Sequence, residues 1–255
     1  MIRRFVADLH VHTVLSPCAA VEMTPRNIIL HAVECGVDIV AITDHNAGDN
    51  LPAAIAAAQG LPVTVIPGME VETREEAHLV VLFEGMRELA AWDKFVRSRL
   101  PGRLNDEAKF GPQFVVDAED ELIKVRPDLL LTSLDAGLSE ITAKVAALGG
   151  IVIASHVDRP AFSLVSQLGF IPPDAGIDAV EVSRHMDPET ARRKIPGLGS
   201  LEVITSSDAH AIDDFMAGPK TIFYLKAPTL AEIRLALRGM DGRSIAVRAA
   251  GDFTR

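Results

Sequence analysis

Asp8, His10 and His12 lie two apart in "FVADLHVHT". Alternate residues of a strand face one side, so these three are expected to share a face, with Phe5, Ala7, Leu9 and Val11 on the other. Two imidazoles side by side look like half a metal site, although for an isolated His-x-His a surface strand with two solvated histidines is the favoured reading. The same side-chain types recur around other apolar runs. "VAIT" runs into Asp44 and His45, "VIPGM" into Glu70, "IVIAS" into His156 and "VITSS" into Asp208 and His210, while His78 opens "HLVVLF". Ligands of parallel α/β folds bind at the carboxyl ends of the strands, so this rim is expected to converge on a metal centre. Nitrogen and carboxylate donors without an obligatory thiolate set favour Zn, Mn or Fe over Ca, and they are too many for one tetrahedral ion. Glu70 could bridge two ions through its two oxygens. With ions roughly 3.5–4 Å apart, a shared hydroxide would be activated and aimed while the cations neutralise a phosphoryl group, which is hydrolase chemistry.

The elements that must hold these residues are legible as short β-branched runs: "VDIVAIT", "PVTVIPG", "AHLVVLF", "GGIVIAS", "IDAVEVS", "LEVITSS" and "KTIFYL". Such runs suit strands covered on both faces, as in a parallel sheet wrapped by helices. Helical stretches alternate with them. Thr24, Pro25 and Gly36 punctuate one helix, Ser139 and Gly149 a second and Asp187 with Pro188 a third, and Thr229 with Glu232 reads as a capping box. A barrel or an open parallel sheet is the expected architecture. Residues 84–138 break the rhythm. A helix over residues 86–99 carrying Trp92, a loop, and a hairpin in "QFVVDAEDELIKV" read as a lid-like insertion covering one barrel mouth, or as a surface excursion without a role.

The chain has 255 residues, 48% of them apolar and 24% charged, which suits one globular domain over 1–255. Its formal charge of −10 argues against an extended nucleic-acid surface, though not against a small phosphorylated substrate. Cys18 and Cys35 make no disulfide framework, and the amino terminus has two arginines without an apolar run behind them. No segment is long and apolar enough to span a bilayer, so the expectation is a cytoplasmic protein without a membrane partner.

In five ordered blocks, "DLHVHT", "AITDHN", "GMEVET" with "AHLV", "IASHVDR" and "SSDAH", the sequence resembles the PHP (polymerase and histidinol phosphatase) superfamily of metal-dependent phosphoesterases. The resemblance implies a distorted (β/α)7 barrel with a cleft for two or three divalent transition-metal ions. It implies that His10, His12, Glu70 and Asp208 surround one ion, that Glu70 bridges to a second held by His78 and His156, and that His45 and His210 hold a third. Where relatives often carry His or Asp, "VLSPCA" offers Cys18, either a thiolate ligand favouring Zn or a small buried thiol. Arg159 sits where several relatives carry a phosphate-gripping Arg, and a planar guanidinium suits two phosphate oxygens. Arg184 and His185 either line the same mouth or serve as a surface Arg and a structural hydrogen bond. Asp44 could orient a ligand His or act as a catalytic acid.

The expected function is therefore hydrolysis of a small phosphomonoester or nucleotide by a metal-bridging hydroxide, with Glu70, Asp208 and Asp44 as catalytic residues. Two alternatives stay open. One is a non-catalytic or regulatory PHP module of the kind attached to polymerases, although such modules belong to larger chains and inactive ones lose ligands. The other is a metal-dependent amidohydrolase, which shares His-x-His on a barrel strand but commonly bridges its ions with a modified Lys, a place Glu70 fills here.

Overall fold

The computed structural model describes residues 1–248. Its strands are β1 (Arg3–Val11), β2 (Ile39–Ile42), β3 (Thr64–Glu72), β4 (His78–Leu82), β5 (Phe114–Val116), β6 (Leu122–Val125), β7 (Ile151–Ala154), β8 (Ala179–Val182), β9 (Glu202–Thr205), β10 (Lys220–Leu225) and β11 (Ser244–Arg248). The helices are α1 (Pro25–Glu34), α2 (Leu51–Ala57), α3 (Met86–Arg99), α4 (Glu107–Phe110), α5 (Leu138–Ala147), α6 (Leu164–Leu168), α7 (Pro188–Lys194), α8 (Ile212–Ala217) and α9 (Leu230–Leu237). Strands β1, β2, β3, β4, β7, β8 and β9 follow one another around a distorted barrel. A parallel bridge between Val11 and Ala209 closes the ring, with the His12 amide donating to the Ala209 carbonyl at 3.1 Å. Below that bridge β1 pairs with β10, and β11 extends the sheet beyond it, both antiparallel. The Thr221 hydroxyl spans the seam between β9 and β10, accepting from the Thr205 amide at 2.9 Å and donating to its carbonyl at 2.8 Å.

The ring is not wholly parallel, which corrects the parallel-sheet expectation. β4 runs antiparallel to both β3 and β7, because the tight turn over residues 73–77 leaves no room for a crossover. The amino end of β4 therefore lies at the same pole as the carboxyl ends of its parallel neighbours. This explains why His78 opens an apolar run where its partners in the rim follow theirs.

Inside the ring, Phe5, Ala7, Leu9, Ile39, Ala41, Ile66, Val80, Leu82, Ile151 and Ile153 fill the lumen, with α9 packed at the far end. Each large side chain among them is worth roughly 1.5–3 kcal/mol of burial. A second apolar layer, including Val6, Val11, Val40, Ile42, Val81 and Val152, lies between strands and outer helices. Membership of these layers corrects the reading of β1. Its pairing with β2 is irregular between Asp8 and Val11, so Leu9 faces the lumen whereas Val11 faces the helices. A bulge of this kind re-aims the side chains after it. Asp8 is thereby separated from His10 and His12, which turn into the barrel mouth.

Thr24 caps α1, with Pro25 in its first turn, and Asp187 and Thr229 cap α7 and α9. Two capping expectations need correction. The cap of α5 is Gly137, not Ser139, because the Glu75 carboxylate from the turn after β3 takes the Leu138 amide. Glu232 does not close a capping box; its carboxylate accepts from the Lys226 amide and pairs with Arg243 instead.

Residues 84–138 contain α3, whose Trp92 is buried against Phe83 and Phe95, and a β5–β6 hairpin. The Phe114 amide donates to the Val14 carbonyl, Asn50 bonds Phe114 and Val116, and Asn46 donates to the carbonyls of Leu130 and Thr132. Asp49 gathers Arg97, Lys124 and Arg126 from the same segment. Among the described residues, no helix is long and apolar enough to cross a membrane.

Candidate metal centre

Glu70 lies near the end of β3 and is surrounded by five imidazoles delivered from four other strand ends. Its Oε1 is 3.2 Å from His10 Nε2, 3.1 Å from His78 Nδ1 and 3.4 Å from His156 Nε2. Its Oε2 is 3.2 Å from His45 Nδ1 and 3.4 Å from His12 Nε2. Asp208, after β9, brings Oδ1 within 3.3 Å of His10 Nε2 and 3.4 Å of His12 Nε2. The donors fall into three overlapping groups, His10–His12–Asp208, His12–His45–His210 and His45–Glu70–His78. This grouping redistributes the sets drawn by resemblance, since His12 and His45 are each shared and His156 joins Glu70 alone. Donors about 2.1 Å from a tetrahedral cation lie about 3.4 Å from one another, so these separations fit divalent ions.

Hydrogen bonds decide which imidazole nitrogens carry lone pairs. Ser16 donates its hydroxyl to Asp44 Oδ1 at 2.8 Å, so toward His12 Nδ1, 2.9 Å away, it can only accept. The proton of neutral His12 is thus on Nδ1, and its Nε2 lone pair points into the site. His10 Nδ1 donates to Glu181 at 3.0 Å and His210 Nδ1 to the Asp208 carbonyl at 3.0 Å, which leaves their Nε2 atoms in the same condition. The Nε2 atoms of His10 and His12 then face each other at 3.2 Å, flanked by carboxylate oxygens. Lone pairs arranged this way could hold a cation between them. His156 Nδ1 is buried and unpartnered as well.

The titration of these groups follows the same logic. Burial by itself would lower His10, yet Glu181, Glu70 and Asp208 hold it well above the usual imidazole range. Against the same burial penalty, Glu70 holds His78 up at about 9. Burial would raise Glu70, but His78 and His10 beside it keep it well below the carboxylate range, and His10 and His12 do the same for Asp208. His45 and His210 go the other way, lowered by burial and by the neighbouring His12, His210 to about 4. Imidazoles that retain a proton this strongly occupy places where a divalent cation would displace it.

The backbone is strained where it delivers the donors: His156 and Asp208 have φ of 30° and 49°. Two cavities meet here. One of about 200 Å³ is lined by His45, Glu70, His78, His156, Arg159, Phe162, Asp208 and His210. The other, of about 110 Å³, lies beyond Arg159 and includes Glu181, Arg184, His185 and Ser206. Arg159 stands between them with Nη2 2.6 Å from Asp208 Oδ2, and Arg184 and His185 are placed in the second. No residue of the segment 84–138 lines either cavity.

Two expected site residues are placed elsewhere. Asp44 is buried beneath the loop after β1, accepting from the Thr13 amide and hydroxyl at 2.7 Å each and from Ser16, so it orients His12 at one remove and does not face the cavity. Burial raises its carboxyl while the Thr13 and Ser16 bonds oppose the rise. Cys18 belongs to none of the three donor groups and its side chain is exposed. Protein packed around its sulfur and the negative field of Glu70 push the thiol up to about 12. Glu181 and Ser16 were missed. A carboxylate inside the apolar run "AVEVS" was the available signal for Glu181, whereas Ser16 becomes important only through the loop's fold.

A family model described as PHP domain matches residues 8–160. The 5'-3' exoribonuclease Rnm of Salmonella typhimurium is 39% identical over 75 residues, 29% of this chain and 25% of that protein. DNA polymerase III PolC-type of Caldanaerobacter subterraneus subsp. tengcongensis is 26% identical across 89% of this chain and 18% of its own length. The chain thus spans a quarter or less of either relative. Among solved structures, the lesion-specific endonuclease PfuEndoQ of Pyrococcus furiosus superposes with a TM-score of 0.65 at 21% identity, covering 95% of this chain and 58% of that one. The similarity to an exoribonuclease and to an endonuclease overturns the expectation of a small phosphorylated substrate and no extended nucleic-acid surface. Physically, that expectation confused whole-chain charge with local charge: Arg159 and Arg184 lie at the mouth, and cations bound there would dominate its field.

Proposed function

The chain belongs to the PHP domain family, and from that membership we propose that it is a metal-dependent phosphoesterase that cleaves a nucleic-acid strand. The observation that carries this reading is the convergence of the His10 and His12 lone pairs with Glu70 and Asp208 at one open cavity. His10, His12 and Asp208 would hold one ion, Glu70 with His45 and His78 a second, and His12, His45 and His210 a third, with His156 completing the shell around Glu70. Zn, Mn or Fe suit these donors. When bound, such ions lower the pKa of a coordinated water and neutralise charge on a phosphoryl group. The protein's part is positional. Glu181 and the Asp44–Ser16 relay hold the two imidazoles of β1 in the tautomers that expose Nε2. Arg159 spends one contact on Asp208 and has further guanidinium donors for phosphate oxygens, while Arg184 and His185 flank the onward path of a strand in the adjoining cavity. His210, lowered to about 4 by burial and by His12, would offer its Nε2 lone pair as a ligand.

The amidohydrolase alternative is disfavoured, since Glu70 stands where a modified lysine would bridge and no lysine lines either cavity among the described residues. A regulatory module is disfavoured by the eight donors that converge here, His10, His12, His45, Glu70, His78, His156, Asp208 and His210. The two free cysteines suit a cytoplasmic setting. The test is cleavage of 5'-phosphorylated single-stranded RNA, single-stranded DNA and duplex DNA by protein supplied with Zn, Mn or Fe. Cleavage of at least one, abolished by chelator and restored by metal, is expected, with Arg159→Ala weakened in catalytic efficiency at unchanged metal content. Absence of cleavage by protein carrying two or more ions per chain would refute it.

A further inference from the structure

The wall of the cavity lined by His45, Glu70, His78 and Asp208 contains Phe162, a hydrocarbon ring among imidazoles and charges. It is 47% exposed, although a large apolar side chain at this point gains nothing from water. Its backbone is left-handed, with φ of 56°, a conformation unfavourable for a bulky residue. The loop holds it there by several bonds. The Phe162 carbonyl accepts from the His78 amide at 2.9 Å, and Ser163 donates to the Arg159 carbonyl at 2.9 Å while capping α6. One face of the ring is stacked on the His78 imidazole, with centroids 5.0 Å apart and planes 26° apart. Four residues thus set a guanidinium, Arg159, and an aromatic ring on the same rim of the same cavity. That pairing matches a nucleotide, whose phosphate seeks the cation and whose base offers a flat face.

Resting on the nuclease reading above, we propose that Phe162 is a stacking platform for the base adjoining the scissile phosphate. Every base has a π-face, so the contact is tolerant of sequence, and it holds the strand through a base where Arg159 holds it through phosphate. Backbone strain at the rim is the consequence of aiming the ring at the substrate path.

The test uses the metal-loaded full chain, single-stranded hexamers with either a natural or an abasic terminal nucleotide, and the variants Phe162→Ala, Phe162→Leu and Phe162→Trp. Phe162→Ala is expected to raise KM roughly 5- to 150-fold, the range of base-on-aromatic stacking, with little change in kcat and no remaining preference for the base-bearing end. Phe162→Leu, which keeps apolar packing on His78, should behave like the Ala variant, and Phe162→Trp should recover the wild-type KM. Metal content should be equal in all four proteins. Independently of cleavage, a phosphorothioate hexamer with a terminal 2-aminopurine should be quenched by the wild type and not by Phe162→Ala. If Phe162→Ala keeps the wild-type preference for base over abasic ends, or loses metal along with affinity, the platform is refuted while the nuclease reading stands. A wild type that neither cleaves nor quenches these hexamers refutes the platform, and refutes the nuclease reading as well if it also leaves duplex DNA uncut.

Discussion

Asp8 and His10 stand two residues apart on β1 and both are buried, but on either side of the bulge they meet opposite surroundings. The Asp8 carboxylate accepts from the Ser207 amide at 3.0 Å and pairs with Lys220 Nζ at 2.8 Å. Lys220 in turn donates to the carbonyls of Phe215 and Gly218 and lies over the Phe215 ring. Both charges there are answered within the protein, Asp8 by Lys220 and Lys220 by Asp8 and two carbonyls, as a buried charge requires. At His10, one nitrogen is spent on Glu181 and the other faces His12, Glu70 and Asp208, which have no hydrogen to offer it. The first cluster seals the barrel seam, and the second could hold cations. Buried polarity therefore distinguishes architecture from chemistry by whether its lone pairs are already answered.

Four changes would break or sharpen that contrast. The largest effect is expected from Glu70→Gln, which removes the centre of the imidazole array: cleavage should fall by several orders of magnitude and metal stoichiometry should drop. Its urea midpoint after chelation at pH 8 should move far less than that of Asp8→Ala, because imidazoles shed protons readily near their ordinary pKa of about 6.5 whereas a Lys does so near 10.4. Near-normal activity would remove Glu70 from the bridging position. Next comes the seam. Asp8→Ala strands the Lys220 ammonium and should cost roughly 3–5 kcal/mol in urea unfolding, with metal content per folded chain preserved; an equal loss of metal would dissolve the distinction between the two clusters.

Smaller consequences are expected where one group acts through another. Glu181→Gln retains the shape beside His10 but not the charge, and metal affinity should weaken about 10- to 100-fold by competition with a chromogenic chelator. Unchanged affinity would show that Glu181 does not set the His10 tautomer. The last change concerns the segment 84–138, anchored through Asp49. Burial opposes ionisation of Asp49, but Arg126, Lys124 and Arg97 hold its pKa below the usual value. A depressed folded pKa contributes stability above the unfolded value of about 3.9, and that contribution is lost as pH falls through the lower folded value. Asp49→Asn should therefore loosen the segment by about 1.5–3 kcal/mol at pH 7, read as faster amide exchange at Gln113 and Leu130, and the difference from wild type should vanish only below about pH 4. Convergence already at pH 6 would assign the docking to other contacts.

The residues that meet at the cavity were legible because each follows or opens an apolar run, and strand ends gather at one pole in any barrel of this kind. Arg159 was legible by its place after His156. The helix over Met86–Arg99 and the hairpin after it could be read from periodicity and turn residues. What could not be read depended on geometry between distant segments. Ser16 and Asp44 form a relay only once the loop after β1 folds over β2, and Glu181 looked like one more strand residue until β8 came to lie against His10. Cys18 sat at a plausible ligand position in the chain and at an exposed one in space.

Local sequence determined the donors, the apolar runs that carry them and most helix starts, because these depend on neighbours within a turn or a strand. Tertiary structure decided the direction of β4, the bulge that parts Asp8 from His10, and the tautomers that aim the lone pairs of His10 and His12. It also brought Phe162 onto His78. Each of these is fixed by contacts between residues far apart in the chain, whose favourable energy appears only when the barrel closes.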